Sequence, residues 1–373
     1  MKTLTIILCL IPLFQISAQN KGTYFSSAQV VSFGQEKLKS SSLSYGDLDK
    51  DGDLDVIIAN GRHWPGQNKI FINLGKGIFD TPILLGKTSS TTYAAEVGDL
   101  DNDGDLDMAE GNDKMPNLLF FNDGQGNFVE KGSFGREKSN TRNLTLGDID
   151  QDGDLDIIIT NRFENNEICL NDGQGNFDQI LHFGEKGDAT LEVELHDMDQ
   201  DGDLDLVLAN RNEQQNYVYL NEQLTFEKKI PFGPGNDDTR SLAVADFNQD
   251  GYLDIVTANI KGRNQIFFGN AQRRFESALD LDRKKDRTSC LDIGDIDQDG
   301  DMDIVVGNFK SPNILYINED KGKNFKRVLL SKKSFDTYDI KFVDLNQDNY
   351  LDIIEANSDE INPIYLNQIP NNK

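Results

Sequence analysis

The sequence predicts an all-β protein: a seven-bladed β-propeller of four-stranded blades, closed by pairing the N-terminal strand with the C-terminal blade. Three observations predict it. A nine-residue aspartate pattern recurs seven times at a nearly fixed period, short strand-like apolar runs follow each copy, and the two ends of the chain complement one another.

The 373-residue chain opens with Met1-Lys2, an apolar run from Leu4 to Phe14, and Gln15-Ile16-Ser17-Ala18. This is the basic start, apolar middle and small-residue cleavage site of an export signal. Residues 1–18 are read as a signal peptide and 19–373 as a single propeller domain, placed in the periplasm, at the cell surface or outside the cell. The run is about half of the roughly 20 apolar residues that span a bilayer, and no other segment is apolar enough, so no membrane span is expected. Leu8 before Cys9 is too bulky for a lipidation site, and Cys169 and Cys290 lie in different repeats. Disulfides are therefore not what stabilises this exported chain.

The aspartate pattern starts at Asp47, Asp99, Asp148, Asp197, Asp246, Asp295 and Asp344, a period of 52 residues once and 49 thereafter. After each copy comes a run such as Val56-Ile57-Ile58-Ala59-Asn60 or Ile304-Val305-Val306-Gly307-Asn308, continuous and β-branched as in a strand buried on both faces. A second run follows, for example Leu118-Leu119-Phe120-Phe121-Asn122, then a turn such as Asp123-Gly124-Gln125-Gly126-Asn127. A third strand is expected to begin at Phe79, Phe128, Phe177, Phe226, Phe275 and Phe325, and a fourth, such as Asn143-Leu144-Thr145-Leu146, leads into the next loop. Four strands per repeat make one propeller blade. The last repeat stops after Ile364-Tyr365-Leu366-Asn367, while the mature N-terminus supplies a matching strand from Tyr24-Phe25 to Phe33-Gly34. A linear solenoid would need atypical capping repeats, and none is present.

The loops are the candidate metal sites. Five of them carry five aspartates each: Asp47, Asp49, Asp51, Asp53 and Asp55; Asp99, Asp101, Asp103, Asp105 and Asp107; Asp148, Asp150, Asp152, Asp154 and Asp156; Asp197, Asp199, Asp201, Asp203 and Asp205; Asp295, Asp297, Asp299, Asp301 and Asp303. The fifth and seventh loops read Asp246, Asn248, Asp250, Tyr252, Asp254 and Asp344, Asn346, Asp348, Tyr350, Asp352 at the same positions. Ca2+ takes six to eight oxygen ligands, which alternating acidic side chains and a turned backbone supply. Position 7 offers its carbonyl, and position 6 is Gly, or Asn349 in the last loop, because the turn there is tight. Without a cation the convergent carboxylates would repel strongly. Up to seven Ca2+ are expected, held more weakly in loops five and seven. An EF-hand is rejected, because helices and a Glu at position 12 are missing except at Glu110 and Glu355.

The loops hold 31 acidic residues and one lysine, so they account for more than the whole formal net charge of −27. The acidity is ligand charge rather than a general surface property. These residues resemble the FG-GAP/VCBS repeats of the integrin α-subunit N-terminal propeller and its bacterial relatives, with Phe33-Gly34, Phe134-Gly135, Phe183-Gly184 and Phe232-Gly233 carrying the FG half; a clear Gly-Ala-Pro is absent. The resemblance implies calcium loops on one face and partners on the other.

On that other face the sequence places Arg62, Arg162, Arg211, Arg263 and Lys310 after the first strand of each hairpin, with the only tryptophan, Trp64, beside His63. An exposed Trp stacks on a sugar or anchors a partner, whereas a packed one caps the blade edge. The expectation is a monomeric protein- or glycan-binding module. Nucleic acid is a poor fit, since no aromatic-interleaved basic stripe occurs. Two alternatives stand beside it: a polysaccharide-degrading lyase or hydrolase using Glu96, Glu194, Asp292 and Lys341 near the axis, and a purely structural partner. No catalytic residue is assigned, because His182 and His196 form no triad or zinc spacing and no nucleophile motif occurs.

Overall fold

The computed structural model describes residues 25–367; its regular elements are 28 strands, with no helix among the described residues. The expected signal peptide lies outside the described residues.

The strands fall into antiparallel groups of four. Thr92–Gly98, Asp107–Asn112, Asn117–Asn122 and Phe128–Phe134 form one four-stranded sheet, and three more begin at Thr141, Thr190 and Thr239. The remaining strands are joined in one larger sheet because two second strands run on into the next unit: Phe309 pairs with Asp336, and Glu360 with Leu38. Within it Phe25–Ser32 pairs with Pro363–Asn367, the terminal pairing that the sequence led us to expect.

In each unit the strand before the aspartate loop lies against its counterpart in the next unit, and Phe335–Val343 lies against Leu38–Gly46. Residues from all of these first strands line a central cavity of about 100 Å3. The second strands, such as Asp156–Asn161 and Asp205–Asn210, are buried at every position, as their continuous apolar runs require. Outer strands are exposed along their middles, as in Phe128–Phe134.

The outer strands depart from expectation. Only Phe128 and Phe325 begin one; Gln179–Phe183, Lys229–Phe232 and Ser277–Asp280 start after their Phe, and the first unit has only Ile83–Leu84. The early Phe is drawn inward instead. Phe33, Phe134, Phe183 and Phe232 of the Phe-Gly pairs meet Phe79, Phe177, Phe226 and Phe275 of the following unit at ring separations of 4.9, 6.3, 6.4 and 5.9 Å. Each pair is an aromatic wedge between neighbouring sheets.

Polar staples repeat with the same logic. The Asn ending the third strand donates its Nδ2 to a carbonyl in the preceding unit: Asn122 to Leu48, Asn171 to Leu100, Asn221 to Ile149, Asn318 to Phe247, Asn367 to Ile296 and Asn73 to Leu345. The fifth unit has Gly269 at this point and no such donor. Losing a buried staple strands a carbonyl, so Asn171→Ala is expected to destabilise by about 1–3 kcal/mol. Urea unfolding checks this, with Gly269→Ala as a separate test of backbone crowding, since an added Cβ would meet the Leu253 carbonyl oxygen.

Candidate metal loops and binding face

Each aspartate loop is built on its own backbone. The position-6 N–H donates to the first aspartate, as in Gly104 to Asp99 at 3.0 Å and Asn349 to Asp344 at 2.8 Å. Position 7 donates to position 5, as in Asp53 to Asp51 at 2.9 Å. Position 4 has φ between 56 and 63° in all seven loops (Gln347 and Gln151 at the extremes), and position 6 is also left-handed. Asn349, at φ 67°, fills that place without Gly.

The ninth residue is different. Asp55 is fully buried and accepts N–H bonds from Leu48 at 2.9 Å and Asn73 at 2.8 Å, one to each oxygen. Asp107, Asp156, Asp205, Asp254, Asp303 and Asp352 do the same with the equivalent residues. Burial lifts these carboxyls, to about 6 at Asp55 and about 8 at Asp303, despite the bonds that favour ionisation.

In five loops three carboxylate oxygens come within 4.8 Å of one another. Positions 1, 3 and 9 meet in the loops of Asp47, Asp99 and Asp197, and positions 1, 3 and 5 in those of Asp148 and Asp295. Buried Oδ1 atoms of Asp47, Asp99 and Asp101 have no hydrogen-bond donor among the described residues. Anionic oxygens converging without a donor fit a hard cation. In the fourth loop Arg273 already places a guanidinium 2.6 Å from Asp199, a competitor that the repeat pattern does not reveal.

The position-7 carboxylates of four loops turn sideways, toward position 4 of the preceding loop. Gln151 donates to the Gly202 carbonyl at 2.8 Å and to Asp203 at 2.7 Å; Asn102 reaches Asp154, Gln249 reaches Asp301, and Lys50 reaches Asp105. Gln200, Gln298 and Gln347 reach the carbonyls of Gly251, Asn349 and Gly52. Every loop is thus tied to the next, the last to the first. The signal was present as a recurring Gln at position 4.

At the opposite ends of the strands lie the predicted partner residues. The structure gathers Arg62, Arg162 and Arg211 near the central cavity and adds Arg142 and Arg240, which the sequence reading of the face undervalued. The guanidiniums sit on aromatic rings: Arg62 on Tyr338 at 3.7 Å, Arg142 on Tyr93 at 4.2 Å, Arg162 on Phe163 at 4.6 Å and Arg240 on Phe309 at 5.0 Å. His63 bridges Asp113 at 2.8 Å and Tyr93 at 2.8 Å. Trp64 is 65% exposed, so it does not cap the blade edge. Arg263 instead pairs with Asp280 on an outer strand, and Lys310 stands exposed at a left-handed position. Tyr93, Arg142, Arg240 and Tyr338 occupy one repeat position, directly after Thr92, Thr141, Thr239 and Thr337, and that alignment was the signal for them.

Glu96, Glu192 and Asp339 line the cavity with Lys341, and Glu194 and Asp292 stand near enough to feel its charge. Asp339 accepts the Leu43 N–H at 2.8 Å and Asp292 that of Phe342 at 2.7 Å. Of the residues proposed from sequence as axial acids, Glu96, Glu194 and Asp292 lie in the field of Lys341, and Asp292 also holds a neighbouring strand. Burial pushes Glu96 up to about 8 from an ordinary 4.5. Glu192 also rises to about 8, by burial and then by Glu194. The folded chain keeps protons there that the unfolded chain has released, so stability falls as pH rises from about 4.5 to about 8. Glu96→Gln is expected to raise the melting temperature at pH 8 and to flatten this pH dependence, read by calorimetry between pH 5 and 8.

Fold and loops together define a repeat protein of the β-propeller class with acidic turns. The chain belongs to the FG-GAP-like repeat family, which matches residues 47–110, 109–159, 148–208, 197–257, 246–306 and 295–355. Among solved structures it is similar to BBS1N in complex with ARL6DN, in crystals soaked with mercury (TM-score 0.65) and with lead (0.63), each at 10% identity over 94% of this chain and 98% of that one. No curated protein matches. Among the described residues no helix is long and apolar enough to cross a membrane.

Proposed function

We propose that this is an exported, calcium-stabilised propeller that binds a protein or glycan partner through the arginine and aromatic face. One observation carries the reading: carboxylate clusters lie at one end of the strands, and stacked arginines with exposed Trp64 and Phe163 at the other. A seven-bladed ring closed by the Phe25–Ser32 strand is supported by that strand's pairing with Pro363–Asn367 and by the bond from Asn73 to the Leu345 carbonyl. The likeness to a propeller crystallised with a protein partner makes a protein ligand the first to seek.

Residues 1–18 as a signal peptide, and 19–373 as one domain, complete the proposal. In the loops, positions 1, 3, 5 and 9 with the position-7 carbonyl would hold Ca2+, whose charge offsets the carboxylate repulsion.

Calcium should raise thermal stability, because a ligand bound only by the folded state must do so. Excess EDTA is expected to lower the melting temperature by roughly 5–10 °C. An unchanged value in calorimetry would overturn the calcium assignment.

Capture of a partner from envelope extract, or of a glycan on an array, is expected to weaken about tenfold in Trp64→Ala, a hot-spot-sized effect. Binding unaffected by Trp64→Ala and Phe163→Ala, yet lost in the outer-strand variant Val129→Ala, would move the site to the sheet edge.

A further inference from the structure

We propose that the arginine-ringed mouth of the central cavity is an oxyanion site, taking one carboxylate, sulfate or phosphate group presented by the ligand of this face. The inference rests on the binding reading above and gives its ligand a chemistry.

Arg142 and Arg240 line the cavity itself, and Arg62, Arg162 and Arg211 stand close enough to act on one another's charge and on the cavity tyrosines. The carboxylates nearest these five guanidiniums among the described residues are already engaged; Asp359, which acts on Arg62, is held by Lys39 at 2.9 Å. Asp113 is held by Arg142 at 2.9 Å and by His63; Asp238 is shared by Arg211 at 3.5 Å and Lys261 at 3.1 Å. Like charges gathered under partial burial repel, and burial followed by Arg211 depresses Arg240 to about 10. Nothing in the packing of the first strands demands arginine, because Ser41, Leu191 and Ser289 fill the same repeat position.

The donors point to what would relieve this arrangement. Nε atoms of Arg62, Arg162 and Arg240 are buried and have no acceptor among the described residues. They come from three different units, so no single strand irregularity explains them. Aromatic stacking fixes the guanidinium planes; Arg62 and Arg142 spend N–H groups on Ser358 and on Asp113 with the Thr141 carbonyl, whereas the guanidiniums of Arg162 and Arg240 donate to no acceptor among the described residues, an arrangement that suits a carboxylate or a tetrahedral oxyanion.

Size and depth restrict the guest. The cavity is small, about 100 Å3, and suits a compact group. Lys341, the cation deeper in the lining, already has Asp339 as its nearest opposing charge, so the group sits at the arginine level. The ligand therefore offers a side-chain, terminal or pendant anionic group, with Trp64 beyond the mouth to meet its apolar part.

The test uses the full calcium-loaded protein and three probes, sodium sulfate, sodium phosphate and sodium acetate, against sodium chloride at equal ionic strength. Saturable binding by calorimetric titration is expected for at least one oxyanion, weakened at least about tenfold in Arg240→Gln and in Arg162→Gln. Sulfate or phosphate ahead of acetate identifies a tetrahedral group as the natural guest, and the reverse order a carboxylate. Both variants should fold, since each relieves repulsion, and their EDTA-sensitive melting checks that they do. Oxyanions indistinguishable from chloride, or binding unchanged in both variants, would overturn the inference. Partner capture that survives in Arg240→Gln would leave the binding module standing while removing the anion site from it.

Discussion

Each loop turns on one buried carboxylate. The aspartate that ends it accepts one N–H from the loop's own second residue and another from the end of the third strand, so loop, second strand and third strand converge on two oxygens. Two charge-seeking bonds favour its ionised form, yet burial pushes Asp254 up to about 7 and Asp303 to about 8. A neutral carboxyl would weaken those bonds, and a bare anion would add to the repulsion within the loop. A divalent cation, the ligand proposed for the loops, would resolve the conflict, because its charge would hold the aspartate ionised and the backbone bonds strong. The loops are therefore part of the core's electrostatics and not decoration on its edge.

The same economy governs contacts between units. No sheet of four strands buries both its faces alone, so each depends on its neighbours through aromatic wedges, asparagine staples and the position-4 bridges. These devices act at three levels, from the outer Phe-Gly corner through the middle of the sheet to the acidic loops. The position-4 bridges end on carbonyls and carboxylates of the adjoining loop, so ordering one loop helps to order the next.

Much of this was legible in the sequence. Seven evenly spaced loops, continuous β-branched runs and complementary termini announced the repeats, because they obey strict local rules of period and composition. The outer strands were misplaced because Phe177, Phe226 and Phe275 read equally well as strand starts and as core wedges; only the neighbouring sheet decides, by offering Phe134, Phe183 and Phe232. The gathering of the arginines was half visible. Arg62, Arg162 and Arg211 follow the second strands and Arg142 directly precedes the first-strand run that starts at Asn143, all legible as one basic face, whereas Arg240 lies within a first strand and joins them only when all the repeats face one cavity. Arg273 beside Asp199 shows the opposite limit: a contact from one turn to another unit's loop carries no periodic signature.

Charge also separates along the central cavity. At the loop end, acidic side chains are balanced by Lys341 and by strand N–H groups that accept no substitute for a hydrogen bond. At the other end, arginines from successive units crowd together with two aspartates between them. Packing alone would have favoured the reverse, small neutral residues at the mouth as at Ser41 and Ser289. Repulsion kept at this mouth is a cost to folding that the proposed anionic ligand would offset. The two ends thus follow one rule: each concentrates a single sign of charge, which the proposed partners, a metal ion in the loops and an acidic group at the mouth, would complete.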